Sequence, residues 1–139
     1  MSGFVLDASV ALRWFLDHPV PAYANRVKQL FLKGVRAVVP ALWHLELSNG
    51  LVVAERRSIL ASADVDQAMM DIEQIVAQAV DTDSSVVSAR QAFATARSFQ
   101  LSAYDAVYLD LARRERLPLA TLDDRLRSAA ARAGVELLR

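Results

Sequence analysis

Four acidic residues stand where a carboxylate is out of place. Asp7 closes the apolar run Gly3-Phe4-Val5-Leu6, and Asp123 follows the run Leu119-Ala120-Thr121-Leu122. Asp105 has Leu101, Tyr108 and Leu109 at its i−4, i+3 and i+4 positions, so on a helix it interrupts an apolar stripe. Glu46 repeats that pattern, with Leu42 and Trp43 before it and Asn49 one turn on. Taken singly, each has an ordinary reading. Asp7 and Asp123 suit helix caps, and Thr121-x-x-Asp124 resembles half of a capping box. Asp105 and Glu46 suit buried acids answering an arginine or a backbone amide. Other acids read as surface groups: Asp64 and Asp83 at helix starts, Asp110 paired with Arg113 and Arg114, Glu55 and Glu115 beside arginines at helix ends.

Convergence would change that reading. Four carboxylates brought close together repel one another and bind protons more tightly unless a cation neutralises them. Zinc prefers histidine or cysteine, and the sequence offers only His18, His44 and no cysteine. Oxygen-only ligation selects Mg²⁺ or Mn²⁺. Such a site supports hydrolysis of a phosphodiester by an activated water. No Ser/His/Asp arrangement, phosphate-cradling glycine-rich loop or helical HExxH competes with it.

The elements that must position these acids follow from the apolar pattern. Short buried strands are expected at residues 3–6, 35–39, 79–81, 117–122 and 135–138. Between them the periodicity predicts helices over 8–16, 22–32, 42–57, 62–77, about 84–99, 102–114 and 125–133. Asp83 or Ser84 is the expected cap of the fifth, and Ser62 or Asp64 that of the fourth. Strands alternating with helices predict an α/β fold, a short parallel sheet flanked by helices, with chemistry gathered outside the strands' carboxyl ends. No linker or repeat divides the chain, so residues 1–139 read as a single domain.

With 54% hydrophobic and 23% charged residues, the sequence is that of an ordered globule rather than a disordered chain. Sixteen basic residues balance sixteen acidic ones, so contact with nucleic acid must rely on local patches. The N-terminal apolar run carries Asp7 and lacks a basic start, which makes it a poor signal peptide; with no apolar stretch of about 20 residues, no membrane is expected as a partner, and a cytoplasmic location is expected. Trp14, Phe15, Leu30 and Phe31 read equally as core or as a groove for a partner segment.

Four stretches, taken in order, resemble a known family. They are Val5-Leu6-Asp7-Ala8-Ser9, Glu46-Leu47-Ser48-Asn49-Gly50-Leu51, Tyr104-Asp105-Ala106 and Leu119-Ala120-Thr121-Leu122-Asp123. Together they resemble a PIN-domain ribonuclease, specifically a VapC-type toxin of a type II toxin–antitoxin system. The resemblance implies a three-layer α/β/α PIN-like fold and an Mg²⁺- or Mn²⁺-dependent endoribonuclease. It also implies RNA as substrate, a cognate antitoxin protein and a homodimer. On the family pattern Asp7, Glu46, Asp105 and Asp123 are the catalytic, metal-binding quartet. Asp7 and Asp105 would be the main ligands, and Glu46 and Asp123 would hold waters or a second ion. Ser9, Asn49 and Thr121 match polar positions that orient the quartet, and Arg13 is a candidate RNA contact. The competing readings are a PIN-like nuclease of RNA processing outside a toxin pair and a non-catalytic RNA- or protein-binding scaffold. A haloacid-dehalogenase-like phosphatase would need a second aspartate where Ser9 stands.

Overall fold

A computed structural model describes residues 2–139. Its elements are β1 (Gly3–Leu6), α1 (Ala8–Leu16), α2 (Ala22–Leu32), β2 (Arg36–Pro40), α3 (Leu42–Arg56), α4 (Ser62–Ala79), β3 (Val80–Asp83), α5 (Ala89–Phe99), α6 (Ala103–Glu115), β4 (Leu119–Ala120) and α7 (Asp124–Arg132). The strands form one parallel sheet in the order β3-β2-β1-β4, flanked by the helices. This is the α/β/α arrangement expected from the alternating pattern.

Every residue of β1 is buried, as a central strand covered on both faces requires. β1 pairs with β2 on one side and with β4 on the other, in the register Val5↔Leu119 and Leu6↔Ala120. The connections leave β1 toward β2 and return at β4 on the opposite side. The crevice beyond the carboxyl ends of β1 and β4 is therefore a topological switch point, the place where open α/β sheets hold their ligands. One residue past the last register pair, Asp7 and Thr121 face each other.

Helix α6 packs against β1, β2 and β4, and α1 packs against α3. Gly50 lies under Leu12 at the α1–α3 contact: a Cβ there would lie 2.6 Å from Cδ2 of Leu12, so a larger residue requires the Leu12 side chain to shift. Trp14 belongs to the apolar core and the partly buried Phe31 packs against it, with ring centroids 5.9 Å apart and the indole N–H donating to the Ala24 carbonyl at 2.8 Å. Phe15 and Leu30, each partly buried, pack against the same core, so all four residues contribute to the core and Trp14 alone is fully within it.

Several local expectations are corrected. Helix α5 starts at Ala89, with Ser88 as its cap, and not at Asp83 or Ser84. Asp83 instead ends β3, and its carboxylate accepts from Arg114 at 2.9 Å and from Ser85 at 3.1 Å. Arg114 is thereby drawn away from Asp110, whose carboxylate accepts from the Thr95 hydroxyl at 2.8 Å. Ala61, not Ser62 or Asp64, holds the cap position of α4 and makes no side-chain cap bond. β4 is only two residues long because the amides of Leu122 and Asp123 leave the ladder for the side chains of Ser9 and Thr121. The expected last strand reduces to one bridge, Leu119↔Leu137, since the next positions facing it are engaged elsewhere: Leu117 N–H donates to the Ala112 carbonyl and the Thr121 carbonyl accepts from Arg127. Among the described residues, no helix is long and apolar enough to cross a membrane.

Candidate active site

Asp7 holds the cap position of α1 in extended conformation but makes no side-chain cap bond. Its Oδ2 accepts two hydroxyls instead, Ser9 Oγ at 2.7 Å and Thr121 Oγ1 at 2.7 Å. Each hydroxyl also accepts a backbone amide. Leu122 N–H donates to Ser9 Oγ and Asp123 N–H to Thr121 Oγ1, both at 3.0 Å. Both hydroxyls are thus used as donor and as acceptor, which fixes their direction toward Asp7. The β4–α7 turn and the start of α1 are stitched together through this one carboxylate.

Asp123 does cap its helix: its carboxylate accepts from Leu126 N–H at 3.0 Å. Asp124 follows in the first turn of α7, exposed, where a negative charge suits the helix N-terminus. Asp105 lies in the first turn of α6, whose cap is Ser102, accepting from the Asp105 amide at 3.1 Å. Glu46 on α3 accepts a hydrogen bond from the hydroxyl of Tyr108 at 2.6 Å, joining α3 to α6. Tyr108 is fully buried and its phenol is held strongly protonated, chiefly by burial, so it remains a donor. Nothing in the sequence marks this role. Tyr108 reads there as one more apolar position beside Asp105, and its partner lies 62 residues away.

These acids share one field. The Asp7 carboxyl titrates above the ordinary range because it is buried; the Ser9 and Thr121 hydroxyls oppose the shift and the charge of Asp123 adds to it. Burial also raises Glu46, opposed by the Tyr108 hydrogen bond and reinforced by Asp7 and Asp105. Asp105 is pushed up to about 6 by burial first, then by the charges of Asp123 and Asp7. None of the four takes part in a salt bridge among the described residues. The alternative in which Asp105 or Glu46 answers a nearby arginine is therefore not realised.

The four do not close into a metal cage. Among the described residues, no three His, Cys, Asp or Glu side chains gather tightly enough to hold an ion by themselves. Three of the four accept hydrogen bonds from other groups, Asp7 from Ser9 and Thr121, Glu46 from Tyr108 and Asp123 from the Leu126 amide. The donor set still suits a hydrated Mg²⁺ or Mn²⁺, which keeps several waters and needs only one or two carboxylates directly. Of the other expected residues, Asn49 is exposed on α3 with no hydrogen bond to the acids among the described residues. Arg13 is half-exposed and pairs with Asp17 at 2.8 Å along α1.

Residues 4–132 match the family described as PIN domain. The chain belongs to the PIN-domain family. The crystal structure of PAE2754 from Pyrobaculum aerophilum shares the fold, with a TM-score of 0.66 and 21% identity over 91% of this chain and 84% of that one. No curated protein matches the chain in sequence. Membership of the PIN-domain family gives the chain a nuclease-like character, of a kind that generally depends on a divalent metal ion.

Proposed function

We propose that this PIN domain is an Mg²⁺- or Mn²⁺-dependent endoribonuclease acting as the toxin of a VapC-type toxin–antitoxin pair. The observation that carries the reading is the uncompensated charge at the β1/β4 crevice. Asp7, Glu46 and Asp105 all titrate high, they and Asp123 act on one another, and no basic side chain pairs with them among the described residues. Burying acids in this way is costly unless a cation is part of the working state. When bound, a divalent ion supplies an activated water and stabilises the charge that develops on the phosphate.

The chain's own residues then divide the work. Asp7 and Asp105 would hold the ion, and Ser9 and Thr121 fix the Asp7 carboxylate so that little reorganisation would be needed. Glu46 and Asp123 would hold its waters or take a proton from the attacking one, with Tyr108 setting the Glu46 orientation. Tyr104, immediately before Asp105, is 68% exposed and offers an aromatic face to an unstacked base, which favours single-stranded RNA. Replacing it, Tyr104→Ala, is expected to raise KM for single-stranded RNA several-fold with little change in kcat, and Tyr104→Phe to behave as wild type.

The test is cleavage of RNA by the purified protein. Activity is expected with Mg²⁺ or Mn²⁺, and is expected to disappear with a chelator and in Asp7→Ala. Cleavage that survives chelation would end the metal-assisted mechanism. The four family-like stretches support the finer reading of a cytoplasmic toxin, with a cognate antitoxin and a homodimer as partners. A small antitoxin-like reading frame immediately upstream of the gene supports the toxin role; without one, an RNA-processing nuclease outside a toxin pair is the better description.

A further inference from the structure

Arg127, near the start of α7, points back at the turn that carries Thr121 and Asp123. Its Nη1 donates to the carbonyl oxygen of Thr121 at 2.7 Å, and its guanidinium lies over the ring of Tyr23, 5.5 Å from the centroid. Tyr23, on α2, is fixed in turn. Its hydroxyl donates to the Leu138 carbonyl at 2.7 Å, and Leu138 N–H donates to Leu119 in β4 at 2.9 Å. Helix α2, the C-terminal tail and α7 therefore brace one side chain.

The carbonyl that Arg127 holds belongs to the same planar peptide unit as the Leu122 N–H. That N–H donates to Ser9 Oγ at 3.0 Å, and Ser9 Oγ donates to Asp7. Arg127 thus grips one end of a rigid plate whose other end sets the Ser9–Asp7 contact. Thr121 itself bonds both Asp7 and the Asp123 amide. Arg127 pairs with no acid among the described residues; it meets the site through a backbone carbonyl rather than as a counter-ion.

We infer that Arg127, held over the ring of Tyr23, is a positioning residue for the reaction, setting the aim of Ser9, Thr121 and Asp123 around Asp7. This rests on the nuclease reading above. It calls for an arginine, because one planar group must lie over a ring and donate to a carbonyl at once.

The experiment compares wild type, Arg127→Met and Arg127→Lys by RNA-cleavage kinetics with Mg²⁺ and by amide hydrogen exchange. Arg127→Met is expected to lower kcat about 10- to 100-fold with KM unchanged, a cost in keeping with small misplacements at reacting groups. Exchange at Leu122 and Asp123 should quicken while that at Phe4 and Val5 stays as in wild type. Arg127→Lys, which keeps a donor and a milder perturbation of folding, should recover part of kcat and part of the protection. A raised KM with unchanged kcat would make Arg127 a phosphate contact and overturn the inference, as would unchanged exchange at Leu122 and Asp123. An active wild type matched by both variants overturns the positioning role alone, whereas a wild type inert on every RNA overturns the nuclease reading and the inference with it.

Discussion

Asp105 carries the strain of this site most legibly. Its carboxyl is raised to about 6, mainly by burial and then by Asp123 and Asp7, so the folded chain binds this proton more tightly than the unfolded one. Its stabilising contribution is complete below about pH 4 and is lost as pH rises through about 6. Above that, the ionised group opposes folding. Asp105→Asn in metal-free protein is therefore expected to raise stability by about 1 kcal/mol above about pH 7, allowing for solvent screening, with the gain fading as pH falls toward 4. Thermal melts of the two proteins across that range check it; a drop in melting temperature at neutral pH would mean the carboxylate has a structural partner. Asp105 was readable from sequence because a helical stripe shows an interruption directly. Its neighbours were not. Tyr108 and Arg127 look like apolar filler and surface charge until the fold sets one against Glu46 and the other against the Thr121 carbonyl.

At the scale of elements, the crevice depends on three junctions: β1 beside β4, α1 against α3, and α6 across the sheet. The first follows from pattern, since buried apolar runs ending in acids predict strand ends that meet. The second is closest at Gly50 of α3, which meets the Leu12 side chain of α1, and Glu46 on the same helix feels the charge of Asp7. A larger residue must displace the Leu12 side chain from its place between the helices. Gly50→Leu is expected to destabilise by about 2 kcal/mol and to lower activity more than its loss of folded protein explains. Denaturant unfolding beside the RNA-cleavage rate separates the two effects. Helix boundaries were less readable than helix existence, for a physical reason. Asp83 and Ser84 have the chemistry of caps, but Asp83 lies in β3 paired to Pro40 and bound by Arg114, so α5 waits for Ser88. The pairing of the two strand-end acids with caps also split: Asp123 caps α7, whereas Asp7 gives its carboxylate to Ser9 and Thr121.

For the whole molecule, a chain without net charge concentrates four acids at one end of its sheet, beyond the two strands, β1 and β4, that are buried throughout. The family, the order of the acids and the sheet that gathers them were all accessible from the residues; the hydrogen bonds that occupy Glu46 and Asp123 were not, because they form only once the fold exists. If the acids form one catalytic unit, their removal cannot be additive. The most direct measurement is the single-turnover rate of RNA cleavage in Mg²⁺ by wild type, Asp7→Asn, Asp105→Asn and the double variant, each verified as folded. The expected result is a loss of at least ~100-fold in either single variant and no further loss in the double. Cleavage by Asp105→Asn at the wild-type rate would contradict the account.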